Sequence, residues 1–238
     1  MWILVWALIS AFILGIFLWN QSILFKRKIT WKQFSKKNNL EYQAGKLMES
    51  PAVTGMLSDM RISLYEDLQK TEDITGRRFV TVISIDIGEG MPTGAVIATK
   101  ELREFINSLN FKDAYIPNDN FRKEEYILRT KDAHKLKAYL NDERLKSLES
   151  LFVMKGSVSM FFFDEIEAVL YIETVDPLVK LEHLEKVMKK ILVVAKTLQP
   201  QENEKLHLSD EEKKRMMEAF NKEPTSSDDK ENKENKEN

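Results

Sequence analysis

The chain of 238 residues contains no cysteine. That absence excludes disulfides, thiolate metal sites and cysteine nucleophiles together, and it fits a reducing compartment. Histidine is scarce too: His134, His183 and His207 lie far apart, and none has a histidine three to five positions on. No metal-ligand spacing and no cofactor motif is present, so neither a metal nor a cofactor is expected. Charge of either sign is missing from Trp2 through Phe25. At 1.5 Å per residue that stretch makes a helix of about 36 Å, enough to cross a hydrocarbon core of roughly 30 Å.

An export signal has a cationic stretch, an apolar run of about 7 to 15 residues and a small-x-small cleavage site. Here only the α-amino group precedes the run, the run is too long, and residues 20–25, "NQSILF", hold no pair of small residues. The expectation is a retained signal-anchor over residues 1–25. Trp2, Trp6 and Trp19 stand near its ends, at the depth amphipathic indoles prefer.

The next stretch is basic. Lys26, Arg27, Lys28, Lys32, Lys36 and Lys37 fall within 12 residues, with no acidic residue before Glu41. Cations accumulate on the cytoplasmic flank of a span, which predicts a single-pass protein of the cell (inner) membrane, N-terminus outside and the remaining chain in the cytoplasm. The same six residues, with Trp31, are the candidate membrane-surface contacts, able to meet anionic lipid headgroups. Nucleic acid is not an expected partner, because the net charge is −2 and the basic stretch is tethered at the bilayer.

Residues 26–40 read as a basic juxtamembrane helix capped by Thr30, with Trp31, Phe34 and Leu40 on its apolar face. Residues 41–199 read as one globular domain. "AVTGML" and "RISLYEDL" flank Ser58-Asp59 as a hairpin, and residues 77–87, "RRFVTVISIDI", alternate as a strand. "ATKELREFINSL" places Leu102, Phe105, Ile106 and Leu109 on one helical face, and "EYILRT" is a strand. Asp132 and Asn141 cap two consecutive helices, and "SVSMFFF" and "EAVLYIET" form a hairpin around residues 164–167. A long helix over 176–199 has Asp176 at its N-cap and Pro177 at its first position. Its apolar stripe is Leu178, Leu181, Leu184, Val187, Met188, Ile191, Leu192, Ala195 and Leu198.

Strands in pairs interleaved with helices predict an α+β domain, a mostly antiparallel sheet covered by helices. Phe162 points to the sheet face opposite Phe161 and Phe163, so both faces need cover. The terminal helix is expected on one face, and a partner or the membrane-proximal helix on the other. Residues 200–221 read as a linker with a short amphipathic helix, Ser209 and Glu212 at capping-box spacing ahead of Met216, Met217 and Phe220. Residues 222–238 are a charged, low-complexity tail expected to be disordered.

Motifs of chemistry are weak. "DIGEGMPTG" has neither the dinucleotide nor the Walker spacing and reads as a turn. Asp164, Glu165 and Glu167 are the densest acidic group and read as turn residues. No serine sits in a nucleophile elbow. No catalytic residue is assigned.

The order of elements resembles a loosely defined group of uncharacterised bacterial membrane-anchored proteins. A Trp/Phe-containing helix is followed by a Gly-bearing strand pair, then a strand and an Asp-capped helix, carried here by Trp31, Phe34, Gly55, Asn118, Phe121, Ile127, Asp132 and Leu140. Asparagine stands at 118 where that group has glycine or aspartate. The resemblance implies a membrane-tethered α+β architecture and no catalytic residues. The leading expectation is a non-enzymatic protein-binding or scaffolding module at the cytoplasmic face of the membrane. A lipid or small-ligand module at that surface is the alternative, and a membrane-tethered hydrolase using carboxylates such as Asp164 and Glu167 is the weaker one.

Overall fold

The computed structural model describes residues 2–69, 79–109, 111, 113, 114 and 126–206. The amphipathic stretch 209–220, the charged tail, Arg77, Arg78, Asn118, Phe121 and His207 lie outside the described residues.

The first element, α1 (Trp2–Lys37), is one helix of 36 residues, about 54 Å long. Its apolar half is exposed all round, whereas Arg27, Thr30, Trp31, Phe34 and Ser35 are buried. The buried positions recur at three- and four-residue intervals, so one continuous helix changes from uniformly apolar to amphipathic as it enters the domain. The expected break at Thr30 is therefore corrected. The Thr30 hydroxyl does not cap a new helix; it donates to the Val179 carbonyl at 2.7 Å. The helix stops after Lys37, where Asn39 is left-handed (φ 55) and the Leu40 amide donates to the Ser35 carbonyl at 2.8 Å.

Among the described residues, nine strands form one antiparallel sheet: β1 (Glu41–Gln43), β2 (Ala52–Leu57), β3 (Met60–Leu68), β4 (Phe79–Gly88), β5 (Ala95–Thr99), β6 (Asp113–Ala114), β7 (Tyr126–Thr130), β8 (Ser157–Phe163) and β9 (Ala168–Thr174). Their order is β1-β2-β3-β4-β9-β8-β5-β7-β6. The β2–β3 hairpin turns at Ser58 and Asp59, both with positive φ, the twist that suits a two-residue connection. In the β8–β9 hairpin the Asp164 carboxylate accepts from the Ile166 and Glu167 amides. Gly55 (φ 148) is required where β2 passes α1's end: an added Cβ would lie 2.9 Å from Leu40 Cδ2.

The opposite sheet faces are covered differently. Over β5 and β8, a 3-10 turn (Lys100–Leu102) and α2 (Arg103–Ser108) bring Leu102 and Ile106 against Val96, Ala98, Phe111 and Val158. Phe162 faces this smaller cluster, as alternation requires. The helices α3 (Ala133–Tyr139), α4 (Asp142–Phe152) and α5 (Leu181–Leu198) share the other face with the second half of α1. The main core lies between them, from Trp31, Phe34, Ile62, Leu64, Ile83, Ile85, Phe161 and Phe163 to Met188 and Ile191. Asp132 and Asn141 cap α3 and α4 as predicted. The Lys135 and His134 amides hold the Asp132 carboxyl below its ordinary pKa range.

The predicted helices need correction in four respects. The last helix begins at Leu181, not at Asp176: the Asp176 carboxylate accepts from the Leu178 amide and pairs with His183 at 2.9 Å, and Leu178 is left-handed (φ 48). This turn aims the Pro177 and Val179 carbonyls at α1, a tertiary demand that outweighs a local cap. Val194, absent from the predicted stripe, is buried, while Leu181, Val187 and Leu192 are only partly so. The membrane-proximal helix and α5 lie on one face, not on opposite faces, because α2 takes the second. Phe105 is exposed, contrary to the predicted stripe, because α2 is short and the turn before it is 3-10.

Arg144 on α4 closes the helical layer. Almost wholly buried, it donates to the carbonyls of Tyr139, Thr197 and Gln199 and to both oxygens of Glu204, and it stacks on the Tyr139 ring at 4.2 Å. The chain after α5 is thereby strapped to α4. Replacing Arg144 with methionine leaves the Thr197 and Gln199 carbonyls without their donor and Glu204 without its cation, and should lower unfolding stability by about 3 kcal/mol. Hydrogen bonds from Arg144 hold the Glu204 carboxyl below its ordinary range. A depressed folded pKa stabilises above the unfolded value near 4.5 and is lost as pH falls through the folded one. The melting-temperature gap between wild type and Glu204→Gln should therefore close on acidification from about pH 6 toward pH 3, measured on detergent-solubilised full chain.

Candidate membrane junction and binding groove

The functional geometry begins where α1 leaves its apolar segment. Arg27 comes two residues after Phe25, about 3 Å along the axis. Its guanidinium donates to the Ser50 hydroxyl at 2.6 Å, to the Glu66 carboxylate and to the Pro177 carbonyl at 3.3 Å, and lies over the Trp31 ring. Lys28 turns back and donates to the carbonyls of Gly45, Lys46 and Leu47 at 3.4, 2.6 and 3.3 Å. The Tyr42 hydroxyl donates to the Lys28 carbonyl at 3.3 Å. Trp31 is fully buried, and among the described residues no hydrogen-bond partner reaches its indole nitrogen.

The candidate membrane-surface residues thus divide. Arg27 and Trp31 are internal, structural parts of the junction and not surface contacts, while Lys28 is half-buried with its ammonium engaged by backbone. Lys26, Lys32, Lys36 and Lys37 are exposed, and Lys37 pairs with Glu185 at 2.7 Å. Arg27 could not be told from its neighbours in the sequence, because the partner Glu66 lies 39 positions away and only β3 brings it near.

On the opposite sheet face lies an open groove of about 930 Å³ between β4, β9 and β8 and the 3-10 turn with α2. Val80, Val158, Met160, Tyr171 and Glu173 line the sheet side, and Lys100, Arg103, Glu104 and Phe105 the helical side. The Tyr171 hydroxyl donates to Glu173 at 2.7 Å. Burial, then the Glu173 carboxylate, pushes the Tyr171 phenol far above its ordinary pKa, and burial with Asp67 and Glu173 raises Tyr65 on β3, across β4. The floor combines a neutral phenol with a carboxylate, while Lys100 and Arg103 stand exposed at the rim. Such a site can hold a polar segment by hydrogen bonds and charge. No sequence signal pointed to it, since Tyr171 and Glu173 read as ordinary strand alternation.

No protein-family model, curated protein or solved structure matches the chain. Function rests on geometry.

The acidic group at the β8–β9 turn does not converge on a cleft. Asp164 holds the turn, Glu165 pairs with Lys131 at 3.3 Å, and Glu167 is exposed, its pKa raised by desolvation and by Asp164 and Asp86. The glycine stretch is a crossover from β4 to β5, with the Gly90 amide donating to the Glu165 carbonyl, as a turn would be. Among the described residues no group of three or more His, Asp or Glu is placed to hold a metal ion.

Truncating Glu66 leaves a nearly buried cation without its carboxylate. Glu66→Ala should cost about 3 kcal/mol in denaturant unfolding of the solubilised full chain. Joint replacement of Arg27 and Glu66 by leucine should recover most of that loss, and Lys32→Ala should leave the midpoint unmoved.

Proposed function

We propose that this protein is a single-pass membrane-anchored binding module, holding a protein partner at the cytoplasmic face of the inner membrane. The carrying observation is the unbroken passage of α1 from a span-length apolar segment into the core of the α+β domain. The helix is long and apolar enough to cross a bilayer, and no flexible linker intervenes between Phe25 and the buried Arg27. A domain joined this way sits directly against the membrane in a set orientation. That suits presentation of a surface to something else at the membrane.

The topology is supported by Lys26, Arg27 and Lys28 at the trailing end of the apolar run. Headgroup attraction falls off within a Debye length of about 8 to 10 Å. Along the helix axis Lys32 stands about 10 Å beyond Phe25, and Lys36 about 16 Å. Lys26 alone of the exposed cations on α1 is near enough to meet lipid strongly, so the lipid-module alternative loses most of its electrostatic support. The groove floored by Tyr171 and Glu173 and rimmed by Lys100 and Arg103 is the surface for the partner. Nothing in the acidic turn supports the hydrolase reading.

Two measurements test this. A single cysteine at Met56, an exposed site in a chain with no other thiol, should react in intact cells with a membrane-permeant maleimide and resist an impermeant one. A photo-crosslinking residue at Phe105 should trap a discrete adduct in cells that one at Val193 does not, and joint Lys100→Glu and Arg103→Glu substitution should abolish it. Impermeant labelling overturns the topology, and equal adduct patterns at positions 105 and 193 overturn the partner site.

A further inference from the structure

The two ends of the sheet differ in kind. Leu40, at the end of α1, packs against Gly55, which pairs with Ile62 on β3, whereas Arg27 meets Glu66 on the same strand. From Ile62 to Glu66, β3 therefore runs back along α1 toward its apolar half. Two residues further, about 7 Å, it reaches Leu68, on the same face as Glu66 and paired with Phe79 of β4. Both are exposed, Phe79 by 67%.

A loop arrives at the same level. Side chains on a helix lean toward its N-terminus, so Lys28 reaches back toward the apolar segment when it binds the carbonyls of residues 45–47. The loop it holds there displays Leu47, 87% exposed, and Met48, 61% exposed. The far end is mainly acidic, carrying Asp59, Asp86, Glu89, Asp164 and Glu167 beside Met56 and Arg61. Four exposed apolar side chains at the end beside the apolar half of α1, with exposed Lys46 and Glu49 flanking Leu47 and Met48, make an amphipathic rim of the kind that suits a membrane interface.

We propose that this apolar rim, formed by Leu47, Met48, Leu68 and Phe79, is a second membrane contact that seats the domain in the interfacial layer of the bilayer crossed by α1. The inference rests on the reading of residues 2–25 as a span. Its occupant is lipid because the rim lies beside the point where the span ends, continuous with the apolar surface of the anchor, and because the acidic end faces away from an anionic leaflet. The contact acts with Arg27 and Lys28 to stop the domain rocking about the helix.

The cysteine-free sequence allows a direct test on full-length protein in nanodiscs of phosphatidylethanolamine and phosphatidylglycerol. Spin labels are placed singly through Met48→Cys, Phe79→Cys, Ile13→Cys and Met56→Cys. Relaxation by oxygen, which partitions into lipid, is compared with relaxation by a water-soluble nickel chelate. Positions 48 and 79 should favour oxygen as position 13 does, and position 56 should favour the chelate. If 48 and 79 match 56 while 13 stays in lipid, the rim proposal fails and the span stands. If 13 also matches 56, the span reading falls and takes the rim with it. Dipolar broadening at position 79 without oxygen preference means that a second copy covers the rim, and this also overturns the proposal.

Discussion

Arg27 is the point on which the architecture turns. A guanidinium taken almost out of water must be matched, and the Ser50 hydroxyl, the Glu66 carboxylate, the Pro177 carbonyl and the face of Trp31 do so. Meeting that demand aligns the 45–50 loop, β3 and the β9–α5 connection around a single helix. It also explains why α5 starts late, since the 176–180 segment presents carbonyls to α1 in place of a first helical turn. The Thr30 hydroxyl and the Lys28 ammonium repeat the device on either side.

The consequence is mechanical. A helix that enters a core without a linker carries the domain at a height set by its own rise per residue. Lys26 and Lys36 therefore stand about 15 Å apart along one rod, although they are close in sequence. The helical layer is finished by a second buried arginine, Arg144, which ties the C-terminal strap to α4. Each arginine is matched by one carboxylate, by backbone carbonyl and by an aromatic face, a pattern suited to holding elements in place.

Much of the fold was legible in the residues. Period-two alternation in "FVTVISIDI", the Ser58-Asp59 turn, and the Asp132 and Asn141 caps are local signals, and each produces the element it implies. The α5 cap failed for a tertiary reason and the α2 stripe for a local one: the helix there is too short to keep Phe105 on the buried side. The groove was illegible because it exists only where β9 and β8 pass beneath α2, bringing Tyr171 and Glu173 beside residues from a much earlier part of the chain. The junction was half legible. The cations could be named, but which of them would be buried could not.

A charge-free segment of spanning length, a basic trailing flank and an α+β domain free of thiol chemistry were determined by the sequence alone, because hydrophobic run length, charge distribution and residue alternation are properties of the chain in order. Tertiary structure decided the rest: that the apolar segment and the first domain helix are one rod, that Arg27 and Trp31 point inward, and that Tyr171 and Glu173 come to floor a groove beneath α2. Those outcomes depend on which residues become neighbours through strand pairing, and on the cost of burying an unmatched charge.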